Sequence, residues 1–192
     1  MTSHHVDLIH AFPQSDVLGI GGTGLVVRQG QFAVKLPLRW STSSDEEVQG
    51  NIDAIQHEQA IYKRLENCDG IVPVLGYSET TIKLRFMENG DLRFWLGKNK
   101  PPPKSIQLPW FRSMAQSLSQ IHGRRVLVAD IASRNFLLDA NLEVKICDFT
   151  ESSLFSLDTC MKTADDAGWS IYTEIGQLGP VLYEVVSGAM QI

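Results

Sequence analysis

The sequence contains little that would place the protein outside a reducing compartment or in a membrane. Its 192 residues include only three cysteines, Cys68, Cys147 and Cys160, and their spacing matches neither a disulfide framework nor a metal site. No apolar run reaches membrane-spanning length, and residues 1–10 lack the basic and apolar regions of a secretory signal. We therefore expect a cytoplasmic protein with reduced thiols and no membrane partner.

An excess of basic residues is also absent. The net charge is −5, which argues against an extended nucleic-acid-binding face, so we expect no nucleic-acid partner. There is no internal repeat period. Hydrophobic residues make up 43% and charged residues 20% of the chain, as in ordinary globular proteins. The length suits one domain or a pair of lobes.

The predicted secondary structure changes character at the Asn89-Gly90 turn. Before it, the apolar pattern predicts strand, turn and strand over 17–27, further strands at 31–36, 71–77 and 80–87, a polar loop at 40–49, and a helix at 51–65. After it, helices are predicted at 91–96, 108–122 and 175–186, with short strands at 126–128, 136–138 and 144–146. Pro180 predicts a kink or an early break in the last helix. The fold class is therefore α+β.

A glycine-rich segment fits G-x-G-x-x-G-x-V, from Gly19 through Gly21 and Gly24 to Val26. Glycine lets backbone amides approach phosphates because no Cβ stands in the way. A plain glycine-rich hairpin and a Rossmann fingerprint are the alternatives. The Rossmann motif needs a helix to open at the last glycine, whereas residues 25–27 continue as a strand.

Two charged residues follow in elements that suit nucleotide binding. Lys35, in Ala33-Val34-Lys35, lies on the next predicted strand, where a cation can hold the α- and β-phosphates. Glu58 lies in the predicted helix over 51–65, from which a carboxylate can pair with that lysine. Taken singly, a surface lysine and a solvated helix glutamate are the plainer interpretations.

Two loops in the second half carry further polar residues. Asp130 and Asn135 have the D-x-x-x-x-N spacing of a catalytic loop, and Arg134 between them is placed to touch a γ-phosphate. Asp148, in Asp-Phe-Thr, follows a short predicted strand and suits Mg²⁺ binding. A surface turn and a strand-end dipeptide are the alternatives for these two loops.

Because all these motifs occur in one order, the chain resembles the protein kinase family over nearly its whole length. The resemblance implies a two-lobe kinase-like fold, with 1–88 as the N-lobe that carries the glycine-rich loop, the lysine and helix C. Residues 89–192 would be a partial, truncated helical C-lobe with the catalytic loop, the Asp-Phe-Thr motif and the start of helix F. Residues 85–87 fall at the hinge.

The resemblance implies transfer of the ATP γ-phosphate to a protein hydroxyl, with Mg²⁺ as cofactor. The catalytic residues it implies are Asp130, Lys35, Glu58 and Arg134, and the metal ligands are Asn135 and Asp148. The residues implied to bind ATP are Gly19, Gly21, Gly24, Val26, Ala33, Lys35, Arg85, Met87 and Leu137.

Several positions depart from the family pattern. Val128-Ala129 replaces His-Arg before Asp130, Thr150 replaces the glycine of Asp-Phe-Gly, and no Ala-Pro-Glu motif follows. Glu174 stands where kinases carry an aspartate that braces the catalytic loop, and we expect the longer carboxylate to reach it. Because further helices normally follow, we expect the last helix to expose an apolar face that favours a partner or self-association.

These departures keep other functions open. A pseudokinase that binds ATP or a partner without efficient transfer is the first alternative, and a small-molecule phosphotransferase is the second. The loops also resemble kinase-like proteins of filamentous fungi, which favours a serine or threonine acceptor, although the Ala-Ser-Arg-Asn run is closer to tyrosine kinases.

Overall fold

The computed structural model describes residues 12–188, and these belong to two compact units. The first unit runs as far as Tyr62 and also contains Pro73–Phe86, and the second contains Lys63–Val72 and continues from Met87. The predicted lobes at 1–88 and 89–192 stay a prediction. The segment on which the signal-peptide expectation rests, residues 1–10, lies outside the described residues.

An antiparallel sheet of five strands forms the body of the first unit, in the order β1-β2-β3-β5-β4. Phe12, Val17 and Leu36 pack against a core cluster on one of its faces, made of Leu25, Val27, Val34 and Leu38. The elements are β1 (Val17–Ile20), β2 (Gly24–Gln29), β3 (Phe32–Pro37), α1 (Asp45–Arg64), β4 (Val74–Tyr77) and β5 (Ile82–Arg85).

The register of the sheet decides which side chains share a face. Lys35 lies opposite Val26 on β2 and opposite Ile82 on β5, so these three point to one side. Val34 lies opposite Val27 and packs in the core cluster on the other side. A lysine in the middle of an apolar strand is thereby turned away from the core cluster.

The second unit consists of helices with short antiparallel strand pairs. Strand β6 pairs with β9, and β7 pairs with β8. A short 3-10 turn, Ser133–Asn135, precedes β7. The elements are α2 (Leu92–Lys98), α3 (Lys104–Gly123), β6 (Val126–Leu127), β7 (Phe136–Leu138), β8 (Val144–Ile146), β9 (Ser153–Leu154) and α4 (Ile171–Ser187).

Helix α3 supplies much of the core of this unit. Trp110, Met114, Leu118 and Ile121 recur at helical spacing and are all buried. The indole Nε1 of Trp110 donates to the carbonyl of Leu142 at 2.7 Å, which ties the helix to the β7–β8 hairpin. The β7–β8 hairpin is therefore held in place against α3.

Helix α1 begins at Asp45, six residues before the predicted start at 51 and inside the predicted loop at 40–49. The reason is a capping box. The hydroxyl of Ser44 accepts from the Glu47 N–H at 3.1 Å, and the Glu47 carboxylate accepts from the Ser44 N–H at 2.8 Å. The first turn has no apolar rhythm, so periodicity alone missed it.

Helices α3 and α4 also begin earlier than predicted, at Lys104 and Ile171. Pro109 therefore lies inside α3 and not near its first turn. The predicted early break at Pro180 is wrong, because α4 continues to Ser187. Packing of the buried residues on both sides of Pro180 outweighs the loss of one backbone hydrogen bond.

The other predicted elements are confirmed with small changes. Strands β4 and β5 are shorter than the predicted 71–77 and 80–87, and Ile71 instead forms an isolated bridge to Ile146. The three cysteines form no disulfide with one another. Within residues 12–188, no helix is both long enough and apolar enough to cross a membrane.

The N-cap of α2 provides a direct test of this local structure. Oδ1 of Asp91 accepts from the Phe94 N–H at 2.8 Å. We expect Asp91→Ala to lower the free energy of unfolding by about 1 kcal/mol, because one orphan N–H loses its acceptor. Asp91→Asn keeps the acceptor and should cost only a few tenths. Urea denaturation measures both, and an equal loss in the two variants would contradict the cap.

Candidate active site

A buried ion pair joins the sheet of the first unit to α1. Nζ of Lys35 lies 2.6 Å from Oε2 of Glu58, and the two residues are only 7% and 1% exposed. Strand β3 is the middle strand of the sheet, so the lysine has a rigid backbone. The predicted pairing is confirmed. Because an unpaired charge is costly to bury, the carboxylate is what allows the ammonium to stay out of water.

The glycine-rich segment forms the tight connection between β1 and β2. The Gly21 N–H donates to the Gly24 carbonyl at 2.8 Å. A Cβ on Gly24 would lie 3.0 Å from Cε of Lys35, so glycine leaves the space that the lysine side chain fills. A Cβ on Gly19 or Gly21 would meet nothing closer than 3.6 Å. Packing therefore explains Gly24, and the phosphate role of the other two stays a prediction.

The face of the sheet that carries Lys35 also carries other predicted nucleotide-binding residues. Val26 lies opposite Lys35, and Ala33 lies opposite Leu84. Arg85 lies opposite Phe32, so its side chain alternates to the other face, and its N–H donates to the Pro73 carbonyl at 2.9 Å. The sheet thus groups Val26 and Ala33 with Lys35 and does not bring the Arg85 side chain to them.

Met87 and Leu137 belong to the second unit, where a turn and a strand hold them. The Asn89 N–H donates to the Leu138 carbonyl at 3.0 Å, and the Leu138 N–H donates to the Gly90 carbonyl at 2.8 Å. These bonds tie the turn that follows Met87 to β7, the strand of Leu137. The structure therefore places the two predicted residues on adjoining, hydrogen-bonded segments.

The predicted catalytic loop brings Asp130, Arg134 and Asn135 into contact. Nη2 of Arg134 donates to both carboxylate oxygens of Asp130 at 2.7 Å. Nδ2 of Asn135 donates to Oδ2 of Asp130 at 2.8 Å and to its backbone carbonyl at 3.0 Å. The 3-10 turn Ser133–Asn135 makes these contacts possible because it folds the loop back on itself. The carboxylate of Asp130 is thereby held in one orientation.

Asp148 lies next to this loop at the end of β8. The Cys147 N–H donates to the Asn135 carbonyl at 2.9 Å, which brings the two predicted metal ligands onto neighbouring backbone segments. Asp148 has a left-handed backbone, with φ of 63°. Phe149 after it is completely buried. The burial of Phe149 fixes the backbone next to Asp148, whose carboxylate is exposed.

The donor set of these two residues fits Mg²⁺. Asp148 supplies carboxylate oxygens, and the NH₂ group of Asn135 is turned to Asp130, which leaves its amide oxygen as the end that suits a cation. Mg²⁺ is usually held by one or two such groups together with phosphate oxygens and waters. Among the described residues no group of three or more His, Cys, Asp or Glu is suited to a metal, so a cage built from protein alone is absent there.

Glu174 braces the catalytic loop, as the sequence predicted. Its Oε1 accepts from the Ala129 N–H at 2.7 Å, and its Oε2 lies 2.6 Å from Nε2 of His122. Glu174 is fully buried at 0% exposure. Ala129 also has a left-handed backbone, with φ of 65°. The hydrogen bond from its N–H therefore stabilises a conformation that costs an alanine about 1–2 kcal/mol.

Sequence reasoning missed several residues that support this site. His122 lies at the end of α3, and nothing in its surroundings along the chain signals that it meets Glu174. The Ser152 hydroxyl donates to the Val128 carbonyl at 3.1 Å, which links the segment after Phe149 to the catalytic loop. The Thr150 hydroxyl donates to Oδ1 of Asp148 at 2.8 Å. Such contacts depend on tertiary folding and leave no spacing pattern.

Removing one partner of the Lys35–Glu58 pair should be much worse than removing both. We expect Glu58→Leu to lower the free energy of unfolding by about 3–5 kcal/mol, because the ammonium is left buried without its carboxylate. The double variant Lys35→Met with Glu58→Leu should lose less than Lys35→Met or Glu58→Leu alone. Chemical denaturation of the four proteins measures the cycle. A double variant as unstable as the sum of the singles would contradict the coupling.

The brace should depend on an acceptor at position 174. Glu174→Ala leaves the Ala129 N–H and His122 without their partner, and we expect a loss of about 2–4 kcal/mol in unfolding free energy. Glu174→Gln keeps a carbonyl oxygen that can accept from Ala129, so it is the matched control and should lose less than about half as much. Equal losses in thermal or urea unfolding would show that the hydrogen bond is not the cause.

Comparison with known proteins agrees with this geometry. A probable serine/threonine-protein kinase of Dictyostelium discoideum is 25% identical over 157 residues, which are 73% of this chain and 32% of that protein. Human NUAK family SNF1-like kinase 1 is 25% identical over 174 residues, 83% of the chain and 25% of that protein. Mitogen-activated protein kinase kinase 9 of Arabidopsis thaliana is 30% identical over 164 residues, 76% of the chain and 48% of that protein.

The chain thus spans less than half the length of each of these relatives. A family model described as the protein kinase domain matches residues 12–171, which is most of the chain. This match confirms both the resemblance drawn from the motifs and the α+β kinase fold. The chain belongs to the protein kinase domain family.

Proposed function

We propose that the chain is an active kinase domain that transfers the γ-phosphate of ATP to a serine or threonine of a protein. The observation that carries the proposal is the buried Lys35–Glu58 pair. Two well-packed apolar residues would be as stable as a buried ion pair, or more so, so stability does not account for it. In kinases, an ammonium group held on a strand binds the phosphates of ATP.

The polar groups of the second unit would supply the other parts of the reaction. When Mg²⁺ is bound, it neutralises charge on the phosphates, and Asn135 and Asp148 would hold it. Asp130 would accept the hydroxyl proton of the substrate. A carboxylate has about four lone-pair sites, and Arg134 and Asn135 use three of them, two of these on Oδ2. The acceptor hydroxyl would therefore approach Oδ1, where one site is left after these contacts.

The remaining sites keep the roles that the family resemblance implies. Gly19, Gly21 and Gly24 would cover the phosphates, and residues 1–88 and 89–192 would be the two kinase lobes. The residues to which the family resemblance assigns the base of ATP are Val26, Ala33, Arg85, Met87 and Leu137. For Arg85 only its backbone carbonyl suits that role, because its N–H is bonded to Pro73 and its side chain lies on the other face.

The choice of serine or threonine as acceptor rests on the relatives. The Dictyostelium discoideum relative is named a probable serine/threonine-protein kinase. We therefore propose a serine or threonine acceptor.

A pseudokinase is the second candidate, and one observation favours it. Nη2 of Arg134 donates to both oxygens of Asp130, and this charge-assisted bond makes the carboxylate a weaker acceptor at the one site that is left on Oδ1. Ala129, in place of the family arginine, also removes the group that would pair with a phosphorylated segment. Such a protein would bind ATP and turn it over poorly.

The predicted partner surface stays a prediction. Helix α4 exposes Tyr172, Ile175, Tyr183 and Val186, each more than half exposed. Their spacing places them along one stripe of the helix. An exposed apolar stripe of this kind is typical of a surface that another protein or a second copy covers. The cytoplasmic location likewise stays a prediction.

Mg²⁺-dependent ATP binding and phosphate transfer test the proposal in two steps. We expect ATP with Mg²⁺ to raise the melting temperature, since ligand at 100 times its Kd stabilises by about 2.7 kcal/mol, and EDTA should remove the effect. Incorporation of radiolabelled phosphate into a generic protein substrate should fall at least about 100-fold in Asp130→Ala. Asp45→Ala, an exposed helix-start variant, is the matched control and should keep full activity.

The outcomes separate the two candidates. ATP stabilisation together with incorporation that disappears in Asp130→Ala supports the enzyme. ATP stabilisation with equal traces of incorporation in both proteins supports the pseudokinase. Absence of any Mg²⁺-dependent stabilisation rejects the enzyme and a pseudokinase that binds ATP with Mg²⁺, and it leaves a pseudokinase that binds only a partner.

A further inference from the structure

We propose that Thr150 is a positioning residue that orients the carboxylate of Asp148 for the metal. The inference rests on the proposed function, because it concerns the metal that accompanies ATP. Thr150 occupies the place where the family motif has glycine, a residue with no side chain that could make such a contact.

The contact itself is short and local. Oγ1 of Thr150 donates to Oδ1 of Asp148 at 2.8 Å, and the Thr150 N–H approaches the same oxygen at 3.4 Å. The hydroxyl supplies the stronger bond of the two, because 2.8 Å is an ordinary O–H···O distance and 3.4 Å is long for N–H···O. Oδ1 is thus directed toward the hydroxyl.

The backbone on both sides of Asp148 is already fixed. Phe149 is completely buried, and its carbonyl accepts from the Ser152 N–H at 3.1 Å. The Cys147 N–H is bonded to the Asn135 carbonyl. The exposed Asp148 side chain stands on this fixed backbone, and the hydrogen bond from Thr150 is one contact that restricts its two torsion angles before a metal arrives.

This restriction matters because ordering a side chain on binding costs free energy, and a carboxylate that is already held loses less on binding the metal. Groups that hold a metal ligand from behind typically change metal affinity 10–100-fold when they are removed. A threonine in this position therefore raises the affinity for the metal without touching it.

Two substitutions of Thr150 separate the effect of its hydroxyl from the effect of its volume. Thr150→Val keeps the volume and the β-branch and removes the donor, whereas Thr150→Ser keeps the donor and removes a methyl group. Thr163→Val is the matched control, because it makes the same change at an exposed threonine whose hydroxyl bonds only to its own turn.

The experiment measures metal affinity separately from nucleotide affinity. Mn²⁺ is titrated into the full chain saturated with a non-hydrolysable ATP analogue, and free Mn²⁺ is counted by electron paramagnetic resonance. Binding of a fluorescent ATP analogue is then measured in EDTA. We expect Thr150→Val to weaken Mn²⁺ binding about 10-fold. Thr150→Ser and Thr163→Val should stay within about twofold of the unaltered chain, and binding in EDTA should not change.

Each other outcome overturns the proposal. Mn²⁺ binding by Thr150→Val that equals the unaltered chain shows that the hydroxyl does not matter. Equal losses in Thr150→Val and Thr150→Ser, or a parallel loss of nucleotide binding in EDTA, show that Thr150 acts through packing alone. If the unaltered chain binds no Mn²⁺ with nucleotide, the proposed function fails and this inference fails with it, whereas the first two results leave the proposed function intact.

Discussion

The cost of burying charge is the constraint on which the rest of this structure depends. Lys35 and Glu58 lie out of water in the first unit, and Glu174 does so in the second. Each has a partner at 2.6 or 2.7 Å, because an unpaired charge in these places would outweigh much of the stability of a small domain. Within the first unit, the pairing of Lys35 with Glu58 helps to hold β3 against α1, together with apolar packing. The proposed nucleotide site would account for the buried Lys35–Glu58 pair, and the brace on Ala129 accounts for the buried Glu174.

Two of the non-glycine residues with left-handed backbones in the second unit lie in the candidate site. Ala129 and Asp148 both have left-handed backbones, and neither is a glycine. Each is held by its neighbours: the Glu174 carboxylate bonds to the N–H of Ala129, and the buried Phe149 anchors Asp148 from behind. Residues in such conformations persist when the surrounding structure overdetermines them, and they collect at functional sites. The hydrogen bonds among Asp130, Arg134 and Asn135 complete a loop that is organised before any substrate is present.

Much of this could be predicted from the sequence, for reasons that differ between elements. Alternating apolar residues predicted β2 and β3. Glycine, lysine and acidic motifs in a fixed order indicated the family and the candidate residues. The start of α1 was missed because the capping box at Ser44 and Glu47 lies in a polar stretch. The break expected at Pro180 did not occur because packing outweighs a local preference. The role of His122 was invisible because its contact with Glu174 spans 52 residues. Thr150 stood out in the sequence as the replacement of a glycine, but its hydroxyl contact with Asp148 depends on a side-chain rotamer.

Above all, we propose that the ammonium of Lys35 is buried where it meets the phosphates of ATP. A lysine-reactive acyl-phosphate derivative of ATP, followed by peptide mapping with mass spectrometry, tests this directly. The account predicts that Lys35 is the lysine labelled at low probe concentration, and that excess ATP with Mg²⁺ protects it. Labelling confined to surface lysines such as Lys98 and Lys104, or labelling of Lys35 that ATP does not reduce, would contradict it.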